Sequence, residues 1–177
     1  HFTSTDGVNW THVSSLPLAS RRAIDPSVYK INGTWTLWYK NEAAGSRTFW
    51  ASSKDLTTWK DLGDSNCGRS HEAAFVWFWQ GAFWNLHDNG RGLDAWRSED
   101  GLSDWRLNTV LLKGDVTGKR HLDQGAGHHP WVLLQPPASG QFNPGQEQLL
   151  LFYFTHDGKK TLMQMAEITL GEEGKLQ

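Results

Sequence analysis

Three segments of the chain share one spelling: Ser4-Thr5-Asp6-Gly7-Val8-Asn9-Trp10, Ser53-Lys54-Asp55-Leu56-Thr57-Thr58-Trp59 and Ser98-Glu99-Asp100-Gly101-Leu102-Ser103-Asp104-Trp105. Their serines stand 49 and 45 residues apart. A period of about 40–50 residues that holds several short strands marks the blades of a β-propeller. In each segment the Ser and Asp side chains suit a turn between a blade's third and fourth strands. They bond its amides, the Gly allows positive φ, and the Trp is placed to pack between blades. The 11 Trp, 8 Phe and 18 Gly of the chain fit short pleated strands broken by turns.

Laid on that period, residues 1–13 read as the last two strands of one blade and 24–62 as a full blade, with Asn32-Gly33 as its first hairpin turn. Residues 72–109 read as a second full blade with Gln80-Gly81 in the matching turn. Residues 130–168 give three more strands around a longer Pro-, Gly- and Ser-rich loop, Pro136–Gly145, and a polar tail closes the chain. The expectation is an all-β chain of 177 residues forming one partial propeller domain of about three and a half blades. A propeller must close, because an open ring leaves strand edges and blade flanks bare. The chain therefore reads as part of a longer protein, or as one that closes its ring by self-association; His1 in place of a Met points to an upstream region.

Other classes are disfavoured. The net charge of -2 and the lack of a basic cluster argue against nucleic acid or an anionic membrane as partner. No apolar stretch of about 18 residues is present, so no transmembrane helix is expected. The one cysteine, Cys67, excludes an internal disulfide and a thiolate zinc cluster.

Placing Val28, Phe75 and Val132 in register brings Asp25, Glu72 and His129 to one repeat position, at intervals of 47 and 57 residues. Inner strands of successive blades converge on a propeller axis, so these side chains are expected to meet. Two carboxylates in such a funnel suit paired acid–base chemistry, in which one is protonated and the other ionised. Glu72 is expected to have a raised pKa, through repulsion from Asp25 and through burial. The structural alternative is that Asp25 and Glu72 cap strand ends and bond loop amides. His71 should point the opposite way from Glu72. Phe75 and Trp131 are the aromatic candidates for sugar stacking, whereas Trp77, Trp79, Trp84 and Trp96 are expected mostly in the core between blades. Arg21, Arg22, Arg69 and Arg120 flank the inner strands, with Arg120 the candidate for a sugar hydroxyl or carboxylate. Asp123 is a local candidate for a base.

Ile24-Asp25-Pro26-Ser27-Val28, the run Trp35-Thr36-Leu37-Trp38-Tyr39-Lys40-Asn41-Glu42 and Ser53-Lys54-Asp55-Leu56-Thr57-Thr58-Trp59 together resemble glycoside hydrolase family 43 and its relatives. So do Glu72-Ala73-Ala74, Gly125-Ala126-Gly127-His128-His129 and the closing Leu151–His156 and Gln164–Ile168 runs. The resemblance implies a five-bladed β-propeller with three acids on its axis: a general base, a pKa-modulating Asp and a general-acid Glu. Asp25 resembles the modulator and Glu72 the acid. His129 or His128 resembles the histidine near an axial ion or water. The spelling Gly-x-Gly-His favours His128, and alignment to the strand favours His129. His129 is thus the candidate metal contact, direct or through water, for a structural calcium or sodium ion; no cofactor is required for the reaction. The first blade, which holds the family's base, has no match in the chain. The implied reaction is inverting hydrolysis of a glycosidic bond in a polysaccharide or oligosaccharide, which needs a protonated acid and an ionised base about 6.5–9.5 Å apart with a water between them. A secreted or periplasmic setting fits it, although no signal peptide is visible. Two alternatives stand beside this one: a carbohydrate-binding propeller module without the base, and a sialidase-like propeller, since Ser-x-Asp-Gly-x-x-Trp resembles that family's Asp-box. The three tyrosines, Tyr29, Tyr39 and Tyr153, all fall inside expected strands, so the sialidase reading ranks last.

Overall fold

The computed structural model describes residues 1–68, 70–114, 125–135, 147–157 and 160–177. It is an all-β partial propeller. Strands β1 (Phe2–Thr3) and β2 (Thr11–His12) form a two-stranded ribbon. Strands β3 (Ala23–Ile31), β4 (Thr34–Asn41), β5 (Arg47–Ser53) and β6 (Trp59–Asp64) form the first four-stranded antiparallel blade. The second blade holds β7 (Glu72–Trp79), β8 (Ala82–Asp88), β9 (Leu93–Ser98) and β10 (Arg106–Leu111). The third sheet has β11 (His128–Gln135), β12 (Gln148–Asp157) and β13 (Lys160–Ile168).

Local chemistry explains the turns. Asn32 and Gly33 have φ of 47° and 76°, and Gln80 and Gly81 have 52° and 73°. Two successive positive φ values let a two-residue turn follow the twist of the flanking strands. The three Ser-x-Asp turns repeat one network. Ser4, Ser53 and Ser98 donate to the carboxylates of Asp6, Asp55 and Asp100 at 2.9, 3.1 and 3.0 Å. The serine oxygens accept from the amides of Gly7, Leu56 and Gly101 at 2.8, 2.9 and 3.0 Å. Each carboxylate accepts two further amides, those of Val8 and Asn9, Thr57 and Thr58, and Leu102 and Ser103.

The sheets pack flank to flank. Ile31, Trp38, Val76, Phe83 and Trp105 fill the seam between the first two blades. Trp77, Trp79, Trp84 and Leu86 meet Val132, Leu149, Leu151 and Tyr153 between the second blade and the third sheet. Trp77, Trp79 and Trp84 are thus core residues. Leu16 and Leu18 lie on the far flank of the first blade, against a cluster that includes Tyr39 and Trp59. Two of the three turn tryptophans are buried, Trp59 and Trp105. Trp10 departs from that pattern, being 62% exposed.

Candidate active site

Each inner strand enters its sheet through a bulge. Between Ile24 and Ser27 the pairing of β3 with β4 shifts by one residue, and the same shift separates Glu72 from Phe75 and His128 from Trp131. One residue in each bulge takes left-handed backbone: Asp25 at φ 52°, Ala73 at 47° and His129 at 46°. These three are the equivalent positions. Glu72 matches Ile24 and His128 instead, because the true counterpart of Val28 and Val132 is Val76 and not Phe75. The expectation that Asp25, Glu72 and His129 share one repeat position is therefore corrected by one residue at Glu72. A bulge in place of an even pleat turns successive side chains toward the axis, so Glu72 still reaches His129 from the adjacent position.

The bulges tie neighbouring blades together. The Asp25 carboxylate accepts the Ala73 amide at 3.0 Å, and Ser27 Oγ accepts the Val76 amide at 3.0 Å. At the next seam the Asp88 carboxylate accepts the His129 amide at 3.2 Å and meets His128 Nδ1 at 3.0 Å. Asp25 thus bonds a strand-entry amide, the structural duty named above as its alternative.

Glu72 lies between blades with both oxygens engaged. Lys40 Nζ donates to Oε1 at 2.8 Å, and His129 Nε2 lies 3.0 Å from Oε2. The Lys40 side chain is only 3% exposed and also stands 3.8 Å from Glu42. The hydrogen bond from Lys40 is the main reason that the Glu72 carboxyl is held below its ordinary range; burial pushes the other way by less, and the bond to His129 adds to the lowering. The expected elevation is corrected: Asp25 faces the Ala73 amide, and an ammonium, not a second carboxylate, sits on Glu72. A cavity of about 340 Å³ opens here, lined by Lys40, His71, Glu72, Asp88, Asn89 and His128 among others. Its size is within the ordinary range for a small-molecule site.

Aromatic rings continue from this mouth. The Phe154 ring lies 5.5 Å from His128 and 5.2 Å from His129, stacked on both. Phe75 meets the edge of Trp131 at 6.1 Å, and Trp131, 52% exposed, lies 5.9 Å from Phe152. The structure therefore gathers Glu72, His128 and His129 at the mouth, ties Asp25 to the strand entry beside Glu72, and places Phe75 and Trp131 together further along the inner strands. Arg22 is exposed, pairs with Glu42 at 3.4 Å and does not line the cavity. Arg69, Arg120, Asp123 and the loop Pro136–Gly145 lie outside the described residues.

Lys40 and Asp88 are site residues that the sequence reading passed over. A signal existed, since each stands seven residues after the glycine of its blade's hairpin turn, Gly33 or Gly81. They occupy opposing positions in the ladder, Lys40 across from Ile24 and Asp88 across from Glu72. For an axial ion, the His129 nitrogen nearest Glu72 is already paired with that carboxylate. Among the described residues no group of three or more His, Cys, Asp or Glu side chains converges as a metal-binding set.

No family model and no curated protein sequence matches the chain. Solved structures do. A family 117 glycoside hydrolase from the marine bacterium Zobellia galactanivorans superposes with a TM-score of 0.63 at 16% identity, over 90% of this chain and 57% of that one. A thermostable family 43 glycoside hydrolase gives 0.62 at 15% identity, over 88% and 51%. An endo-arabinase from Bacteroides thetaiotaomicron gives 0.58 at 17% identity, over 89% and 55%. The fold is that of the propeller glycoside hydrolases. The chain spans little more than half the length of these structures.

Proposed function

We propose that the axial mouth is a carbohydrate site of glycosidase type, in which Glu72 donates the proton to the leaving oxygen of a glycosidic bond. Asp25 tunes the site from the adjacent blade, and a water that gives its proton to a base supplied from outside this chain attacks the anomeric carbon and displaces the leaving group with inversion. Trp131 and Phe75 offer aromatic surface to the sugar ring. His128 and His129 contact sugar hydroxyls or an ordered water or ion. The observation that carries this reading is the Glu72 carboxylate, fixed by Lys40 and His129 at the edge of a cavity in a glycoside hydrolase fold. Since Lys40 keeps Glu72 ionised in the free chain, proton donation requires substrate to draw Lys40 away, after which a less solvated Glu72 takes up a proton.

That ion pair also favours a second reading, a module that binds sugar without turning it over. An ionised Glu72 beside an ammonium is a good acceptor–donor pair for hydroxyl groups and a poor acid. The test is turnover of a panel of aryl glycosides and oligosaccharides, with binding measured by calorimetry on the same sample. Loss of turnover by at least about 10²-fold in Glu72→Gln with binding kept supports catalysis. Binding without turnover in the parent protein supports the module. Neither binding nor turnover refutes both. Self-association through the open flank of the third sheet, where Met163 is 70% and Met165 50% exposed, is part of the same proposal, and a monodisperse monomer by light scattering counts against it.

A further inference from the structure

Beneath the strand entry that carries Glu72, two imidazoles lie face to face. His71 and His87, 4% and 1% exposed, stack with ring centroids 3.8 Å apart and planes 13° from parallel. Neither has a part in the proposed chemistry. The His71 amide donates to the Ser46 carbonyl at 3.0 Å. Its Nε2 meets Thr48 Oγ1, and its Nδ1 lies 3.4 Å from the Glu72 carbonyl oxygen. His71 thus fastens the start of β7 to β5 of the first blade. His87 belongs to β8. Its Nε2 is 3.9 Å from Cys67 Sγ, and its Nδ1 has no hydrogen-bond partner among the described residues. Gly68 presses against that nitrogen so closely that a Cβ there would stand 2.6 Å from it.

We infer that the stacked His71–His87 pair is an acid-sensitive clasp, whose protonation opens the seam between the first two blades and frees Glu72 from its set position. Two cations repel strongly at stacking distance in a buried seam. A proton on His87 Nδ1 leaves a buried charged N–H without an acceptor. The charged groups around His71 are Lys40 on β4, which opposes a second cation, and Asp25 on β3 and Asp88 on β8, which favour one. His87 faces the Cys67 thiol, the Trp96 ring at 6.2 Å and His71 itself. Burial outweighs the carboxylates: it is the largest influence on both rings, bringing His71 down to about 4 and His87 well below its ordinary range.

The unfolded chain holds both histidines near their ordinary value of 6.5. Between that value and the lower folded values the unfolded state binds more protons. The clasp's contribution is therefore present above pH 6.5 and is lost as pH falls toward 4. Each ring lowers the folding constant by up to about tenfold per pH unit in that window. This inference stands whether or not the site turns over a sugar.

The experiment is an NMR titration of the intact protein labelled with ¹⁵N at histidine, with amide hydrogen exchange followed from pH 7 to 5. Both buried rings should remain neutral at pH 5.5. The Glu72 and Ala73 amides should exchange progressively faster on acidification than the Trp77 amide, after correction for intrinsic rates. His87→Phe keeps a flat ring and removes one titrating group, so its folding constant should fall by about tenfold less per pH unit than that of the parent. If that variant fails to fold, the titration of the parent decides. Titration of both rings above pH 6 in the folded protein, or exchange at Glu72 and Ala73 that tracks Trp77 at every pH, overturns the inference.

Discussion

Asp25 has one duty in the fold and one in the proposed chemistry, and substitution can separate them. Its carboxylate accepts the Ala73 amide at 3.0 Å, and its own backbone sits at φ 52°. A hydrogen bond to a charged group contributes about 1.5–3 kcal/mol when it is removed from one side only. Alanine at position 25 loses that bond and is less tolerant of left-handed backbone, which adds about 1 kcal/mol. Asparagine keeps an acceptor oxygen and visits that backbone region readily. Asp25→Ala should therefore lower stability by about 2–4 kcal/mol, and Asp25→Asn by less than about 1 kcal/mol. In urea, with a slope of about 1–3 kcal/mol per molar, the alanine variant should lose about 1 M or more of its midpoint. The asparagine variant then isolates the charge: folded and stable, it should lose turnover if Asp25 tunes an acid. Midpoints for Asp25→Ala and the parent within about 0.2 M would refute the structural weight given to the Asp25–Ala73 bond, and full activity in Asp25→Asn would refute the tuning role.

Other outcomes follow from the same geometry. Ala73→Gly should stabilise the fold by about 0.5–1 kcal/mol, because residue 73 sits at φ 47°; a lower urea midpoint contradicts the strain argument. Lys40→Met removes the ammonium from Glu72, so the Glu72 carboxyl should titrate at higher pH by carboxyl ¹³C NMR, and an unchanged titration means that the ion pair does not form in solution. The depressed Glu72 carboxyl contributes stability that is present above its unfolded value and lost as pH falls through the folded one, so Lys40→Met should also flatten that acid limb. Gly101→Ala should cost at least about 2 kcal/mol by thermal or urea unfolding, since its Cβ would meet Phe83 at 2.6 Å and Ile31 at 2.8 Å at φ 72°. Leu56 carries a side chain at the corresponding turn position with φ 63°, so the turn type itself tolerates a Cβ and the loss in Gly101→Ala measures the local clash.

The sequence shows most plainly those features whose causes are local. A Ser and an Asp two residues apart bond amides within the next three positions, so the three turn networks could be read from spelling alone. The hairpin glycines declared themselves for the same reason. Burial of a turn Trp is not local: Trp59 and Trp105 have flanks to pack against, while the same spelling leaves Trp10 exposed. The error at the site has a definite physical source. Matching apolar residues across blades assumes an even pleat in each strand, but a bulge suspends the two-residue period where the axial side chains lie. Both Phe75 and Val76 are apolar, so hydrophobicity cannot choose between them. The hairpin turns can, because a two-residue turn fixes register covalently. Counting seven residues back from Asn32 and from Gln80 lands on Asp25 and Ala73, the bulge residues with left-handed backbone in those two blades. Counting seven forward from the following glycines lands on Lys40 and Asp88. Lys40 matters most, since a buried lysine at that strand end reverses the expected electrostatics of Glu72. Its charge acts across a seam between strands 32 residues apart, and only the folded blades show which carboxylate it meets.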